Sequence, residues 1–344
     1  MVRTGPRPPT AADGEPELTS TSTRGRADPS PAPGAPSSPR AVLLMAYGSP
    51  SSPAEILPYY THMRGGRAPA PAALAELERR YQAIGGASPL QEITRGQADA
   101  LERELRGRGA GDWRVLVGMK HSPPFLEDAV RQLLADGVTS AVGLVLAPHY
   151  SQLSVGQYLE RVRGALPNTE GPLQLRFVTD WHLAPGYIAW LGARVRERLA
   201  DVVTGPGEPL VIFTAHSLPA RLKEMGDPYP DQLAETAKAV AQVSGLKHWT
   251  TAWQSVARTG EPWLGPELLD VVRGSAEAGV TEFVVCPCGF TADHLEILYD
   301  LDLEAQSEAE RLGVRIARTE MPNSHPDFVR VLADLVQAEI AADR

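Results

Sequence analysis

The 344 residues exceed the usual size of a single-core domain, so two domains of about 130 to 150 residues are expected, with room for a cleft between them. A balance of 33 basic to 42 acidic residues, net charge −9, argues against a nucleic-acid surface and favours a small ligand or a metal as partner. No apolar run approaches the roughly 18 residues of a spanning helix and no signal-peptide centre is present; the only cysteines, Cys286 and Cys288, are too close for an unstrained disulfide, so a reducing cytoplasm without stable membrane association is expected.

Residues 1–40 hold nine prolines and ten Ser/Thr but only Met1, Val2 and Leu18 as large apolar side chains, too few to offset the entropy of ordering them, and are expected to be a disordered tail. The fold begins at Ala41, where AVLLMAYG is a continuous apolar run ending in glycine, as a strand buried on both faces would be. Residues 58–90 interrupt the rhythm. Apolar runs then follow at 113–120, 140–149, 173–179, 209–217, 248–255, 281–289 and 314–320, separated by segments of helical spacing. This alternation predicts an α/β protein with parallel sheets covered on both faces by helices. PFLEDAVRQLLADGVTSAVGLVLAP recurs loosely as PELLDVVRGSAEAGVTEFVVCP, which favours two similar Rossmann-like domains over one large sheet. Their expected spans are 41–178 and 179–322, with a last helix, 323–344, packing back on the first.

Ligands of such sheets bind beyond the carboxyl ends of the strands. Those ends carry Tyr47, Lys120 with His121, His149 with Tyr150, His216 with Ser217, and the block 286–304; four of the eight histidines, His121, His149, His216 and His294, fall here. His216 suits proton acceptance near neutrality, although a lone strand-end histidine is more often a hydrogen-bonded structural residue. If a helix starts near Asp293, Glu296, Asp300 and Glu304 share one face, where mutual repulsion would be relieved by a cation. The bland alternatives are a capping box from Asp293 to Glu296 and a solvated acidic face. Cys286 and Cys288 offer too few thiolates for a zinc or iron–sulfur centre and are expected to be small core residues. Aromatics in 251–266, with Tyr59 and Tyr60, either line a pocket for a planar ligand or fill the core. Residues 58–90 supply Arg64, Arg67, Arg79, Arg80, Tyr81 and Ser88; the arginines suit a carboxylate-rich ligand or form a basic loop and helix face.

The blocks MAYGSP, YYTHMRGGR, RRYQAIGGASPL, GMKHSPPFLEDAV, LAPHYSQLSVGQY, AHSLPARLKEMGDPYPDQL, WQS, EPWLGP and GFTADHLEILYDLDLE, in order from Ala41 to about Val336, resemble the coproporphyrin ferrochelatases of bacteria. The resemblance implies a chelatase-type fold and insertion of Fe2+ into coproporphyrin III to give coproheme in haem biosynthesis. It places His216 and Glu296 at the site of metal insertion and Tyr47 on the opposite porphyrin face. Porphyrin contacts fall on Arg64, Arg80, Tyr81, Ser88 and Tyr158, and an outer metal site on Asp300 and Glu304. Tyr47, where protoporphyrin-using relatives tend to carry a nonpolar residue, implies the four-propionate substrate. Two departures stand out: Arg64-Gly65-Gly66-Arg67 has one arginine fewer than relatives often carry, and Cys288 replaces a usual aliphatic residue. No permanently bound cofactor and no iron–sulfur cluster is expected; iron is a substrate. The chain is expected to act as a monomer with transient contacts to neighbouring haem-pathway enzymes. The rival readings are a chelatase for another tetrapyrrole or metal, and a non-catalytic porphyrin or haem carrier on the same fold.

Overall fold

Continuous burial along β1 (Arg40–Ala46) shows how the chain is layered. Val42 and Leu44 point into one apolar cluster, and Ala41, Leu43 and Met45 into another, so both faces of the strand are covered. The computed structural model describes residues 40–109, 111–167, 171, 173–202, 207–257 and 260–342; the proposed tail lies outside these, apart from Arg40.

The other strands are β2 (Trp113–Met119), β3 (Ser140–Val145), β4 (Gln174–Val178), β5 (Leu210–His216), β6 (Trp249–Gln254), β7 (Glu282–Cys286) and β8 (Arg315–Arg318). They form two four-stranded sheets, ordered β2-β1-β3-β4 and β6-β5-β7-β8, and every pairing is parallel. Each apolar run of the sequence is one of these strands, and the same strand order occurs twice. The helices are α1 (Ile56–Met63), α2 (Pro71–Ala83), α3 (Leu90–Gly107), α4 (Leu126–Ala135), α5 (Val155–Ala165), α6 (Pro185–Val202), α7 (Tyr229–Ser244), α8 (Leu268–Glu277), α9 (Leu295–Leu298), α10 (Ala305–Leu312) and α11 (Pro326–Ala341). Among the described residues, none is long and apolar enough to cross a membrane.

The sequence echo coincides with α4–β3 and α8–β7. In both, a glycine at positive φ, Gly137 at 68° and Gly279 at 97°, ends the helix and turns the chain into the strand, a conformation that costs a residue with a Cβ. The rhythm breaks at 58–90 because α1 and α2 are inserted between β1 and α3. Between Leu298 and α10, residues Asp300–Glu304 form a wide π-helical turn.

The halves share a core. One apolar cluster takes Val42, Leu44 and Leu144 from the first sheet, Val211, Phe213 and Val284 from the second, and Phe328 and Leu332 from α11. Cys286 and Cys288 are free thiols buried in it, as expected of small core residues. Helix α11 packs on α3, α6 and the β3–β4 side of the first sheet. Polar ties reinforce the junction: Gln97 Nε2 donates to the carbonyls of Thr291 at 3.2 Å and Asn323 at 2.8 Å, and Thr291 Oγ1 donates to Leu146 O at 3.1 Å.

The loop after β7 lies tightly on β5. A Cβ at Gly289 would stand 2.4 Å from Ala215 Cβ and 2.7 Å from Ala215 Cα, next to His216. Relief requires moving backbone, so Gly289→Ala should cost about 1–3 kcal/mol, as overpacking does. The expected fall of several degrees in Tm is measurable by calorimetry; an unchanged Tm would show that this contact is slack.

Candidate active site

Each parallel sheet delivers the carboxyl ends of its strands to one edge: Tyr47 follows β1 in the first sheet, His216 ends β5 in the second, and both feel the charge of Glu296. His216 is fixed from three directions. Its Nδ1–H donates to Ser217 O, its own carbonyl accepts from Tyr229 Oη at 2.9 Å, and Nε2 faces Glu296 Oε1 at 3.4 Å. The second oxygen of Glu296, Oε2, lies 3.6 Å from His294 Nε2, while His294 Nδ1 donates to Ala292 O at 2.9 Å. One carboxylate thus stands between two imidazoles.

Burial alone would lower the His216 pKa, but the Glu296 carboxylate and the Ser217 carbonyl outweigh it and raise it to about 9. Burial acts upward on Glu296, yet the two histidines hold it well below the usual carboxylate range. The pair is therefore imidazolium and carboxylate at neutrality. On the alkaline side the stability this pairing adds is full near 6.5 and is lost as pH rises through about 9; on the acid side it is full above the ordinary carboxylate value and is lost progressively as pH falls below that value.

The helix predicted to start near Asp293 starts later, with His294 preceding α9 and no side-chain cap bond. The capping-box alternative fails for a physical reason: Asp293 is held instead by Arg318 at 3.0 Å and Asn323 Nδ2 at 2.7 Å. The π-helical turn also interrupts the expected straight stripe. Glu296 lies in the cleft, Asp300 is buried and Glu304 is exposed. Asp300 Oδ2 accepts from Ser255 Oγ at 2.6 Å, and Oδ1 lies 3.6 Å from Arg80 Nη1 without a hydrogen bond. Burial and the Glu296 charge raise the Asp300 pKa to about 7. Among the described residues no three His, Cys, Asp or Glu side chains gather closely enough to hold a metal. The four residues expected around iron are strung along a path.

The first sheet supplies the other wall. Tyr47, 42% exposed but surrounded by protein, has its hydroxyl pKa raised by lost hydration and by the Glu296 charge. Its ring lies 4.6 Å from that of His121, and His121 Nδ1 is 3.1 Å from His62 Nδ1. Lys120 Nζ sits 5.7 Å from the Tyr47 ring centre and 5.2 Å from that of Tyr158, and donates to Gln157 Oε1 at 2.5 Å. Burial and then Arg161 bring the Lys120 pKa down to about 8; burial, Lys120 and His62 bring His121 to about 3. This wall is cationic and aromatic, while the facing one is acidic.

The inserted helices reach across. Arg80 is paired with Glu76 and near Asp300, Tyr81 and Tyr158 are buried, and Arg64 stands exposed over Tyr60 at 5.9 Å. Ser88 is buried at the start of α3, where its hydroxyl accepts the Leu90 amide at 3.3 Å. Trp263 borders the site, 6.4 Å from His216 between ring centres, whereas Trp253 is core, packed on Tyr229. Of the four strand-end histidines, His149 is not at the site: it is buried, with Nε2 2.9 Å from Thr236 Oγ1 of α7. Sequence reasoning missed Tyr229, Ser255, Tyr299 and His62. Each acts by touching a residue distant in the chain; His62, Ser255 and Tyr299 stood in segments already under suspicion (58–90, 251–266 and 286–304), but nothing local marked them out within those segments.

The fold and this two-walled site define a chelatase-type α/β protein. SirB from Bacillus subtilis, solved with Fe3+, superposes at a TM-score of 0.50 with 12% identity, covering 88% of this chain and 96% of that one. DR2241 from Deinococcus radiodurans, described as multi-domain with structural similarity to chelatases, gives 0.51 with 16% identity; 88% of this chain matches 55% of that one. Both are likenesses of fold. The family model described as Ferrochelatase matches residues 39–340, and the chain belongs to the ferrochelatase family. Relatives named coproporphyrin III ferrochelatase are 44% identical over 302 residues in Geobacillus sp. (strain WCH70), covering 87% of this chain and 97% of the relative, and 43% identical over 298 residues in Bacillus subtilis (strain 168), covering 86% and 96%.

The raised pKa of His216 has a direct test. An imidazole NMR titration should give a midpoint near 9 for His216, and in Glu296→Gln a midpoint below the ordinary histidine range, because burial then acts with far less opposition. A midpoint that stays near 9 in the variant would remove Glu296 as the cause.

Proposed function

We propose that this chain inserts Fe2+ into coproporphyrin III, releasing two protons, with His216 and Glu296 on the metal-entry side and Tyr47 on the opposite face. The observation that carries this reading is the His216–Glu296 pair at 3.4 Å on a cleft wall facing Tyr47. Membership of the ferrochelatase family and relatives named for coproporphyrin III support it.

The chemistry needs a proton acceptor near the ring nitrogens and a carboxylate that draws a dication there. Glu296 is neutralised by the imidazolium of His216. A dication arriving at Glu296 takes over that role, because two positive charges cannot share one carboxylate cheaply, and the imidazolium gives up its proton to solvent water at the cleft mouth. The neutral imidazole then contacts the borderline Fe2+ or accepts a pyrrole proton. Asp300, followed outward by Glu304, extends the acidic path along which the ion sheds water. Lys120 and the tyrosines Tyr47, Tyr81 and Tyr158 supply a flat wall for the macrocycle. Arg64, Arg80 and Ser88 take its propionates, and those remote contacts help hold the ring in a puckered shape that exposes nitrogen lone pairs.

No resident cofactor is needed, since iron enters as substrate. A carrier would need the cleft and its arginines but gains nothing from an imidazolium–carboxylate pair at the ring centre. The discriminating assay is anaerobic Fe2+ with coproporphyrin III or protoporphyrin IX, followed by the Soret band. Turnover is expected with the first and little with the second, and His216→Ala should abolish nearly all of it. Equal rates on both porphyrins would sink the substrate assignment, and stoichiometric binding without turnover would make the chain a carrier.

A further inference from the structure

Arg80, the residue assigned to a substrate carboxylate, also holds carboxylates of the protein. Arg80 Nε donates to Glu76 Oε1 at 3.0 Å, and its Nη1 stands 3.6 Å from Asp300 Oδ1. Arg79 is drawn into the same knot: it is bidentate to Glu76 at 2.9 and 2.8 Å, and its Nη2 donates to Tyr299 Oη at 2.7 Å. Both guanidiniums also lie over the Tyr299 ring, at 5.5 and 4.9 Å from its centre. Helix α2 is thereby fastened to the Tyr299–Asp300 turn of the opposite half.

The bonds have a revealing gradation. Glu76 meets the arginines in short, well-formed hydrogen bonds on an exposed helix face. Asp300 is buried, and its Oδ1 faces Arg80 at ion-pair distance but has no hydrogen-bond partner. A guanidinium at 3.6 Å compensates a buried carboxylate oxygen only in part, so a better partner for either group separates them. A propionate is a better partner for Arg80, because it can approach in the guanidinium plane and form two parallel bonds.

We propose that Arg80 is a latch operated by the substrate: a propionate entering the cleft displaces Asp300 from Arg80 and so releases Asp300 for the incoming dication. This rests on the assignment of coproporphyrin III as substrate. It makes Glu76 and Asp300 intramolecular competitors of the propionate, and it couples the two substrates. By linkage, a carboxylate on Arg80 strengthens cation binding at Asp300, and the cation strengthens porphyrin binding to the same degree. The coupling is symmetric: each substrate tightens the other, and neither has to bind first.

The test is a thermodynamic cycle on the full chain. Coproporphyrin III binding is followed by fluorescence in metal-free buffer for the wild type, Asp300→Asn, Glu76→Gln, Arg80→Gln and the two double variants. Asp300→Asn and Glu76→Gln should each tighten binding about threefold to tenfold, the range expected for losing one partly exposed ion-pair competitor, and neither should change it once Arg80 is Gln. Glu76 lies on the outer face of α2, so Glu76→Gln reads out the competition without touching the metal side. In a second measurement Mn2+ affinity is read by electron paramagnetic resonance, with and without zinc coproporphyrin III, which cannot take another metal. Affinity should rise with the porphyrin in the wild type, and this rise should disappear in Arg80→Gln. Equal tightening by Asp300→Asn whether or not Arg80 is present, no tightening at all, or a rise in Mn2+ affinity that survives in Arg80→Gln would each overturn the latch. Absence of any coproporphyrin III binding by the wild type overturns the substrate assignment instead.

Discussion

Everything at this site depends on burying parallel sheets on both faces. Parallel ladders require a crossover between successive strands, the crossovers are helices, and the helices exclude water from both faces of the sheet. Only the strand ends remain for polar chemistry. Because all strands in a sheet run the same way, their carboxyl ends lie at one edge, and the doubled β2-β1-β3-β4 and β6-β5-β7-β8 arrangement provides two such edges. Tyr47 and His216 each follow an almost wholly buried strand, so their positions are set by the core beneath them.

Placing charge at such an edge has a consequence. Water reaches the cleft only from its mouth, so each ionisable group depends on its neighbours. His216 and Glu296 stabilise each other's charged forms, whereas Asp300, one turn on, sits beside a like charge and is pushed toward neutrality. A dication is the species that would relieve the acidic side, and a carboxylate the one that would complete the basic side. The cleft is thus tuned to a pair of oppositely charged substrates.

Much of this was legible in the sequence. The central strands β1, β3, β5 and β7 could be read from runs of apolar residues, because double-sided burial leaves no alternation to confuse the pattern; the half-exposed β2, β4, β6 and β8 gave weaker runs, and glycine followed by Val-Thr marked the same turn in both halves. His216 and Tyr47 followed from strand ends. Glu296 was legible as a residue but its surroundings were not. A capping box and a cleft carboxylate have the same local spacing, and the choice was made by Arg318 and Asn323, which claim Asp293 from 25 and 30 residues away. The π-helical turn that buries Asp300 leaves no periodic signature. His149 was misleading because a strand end at the junction of the halves looks, in sequence, the same as one at the cleft.

The single apolar cluster that runs from β1 through β5 and β7 to α11 decides how the cleft can change shape. Lobes joined by a polar seam swing on a hinge, but opening these would tear Val42, Leu44, Phe213 and Val284 out of one close-packed interior. The shared core ties the two halves together, and α1 and α2 belong to neither sheet; of the two, α2 touches the far half, through Arg79 and Arg80, whose bonds water can replace.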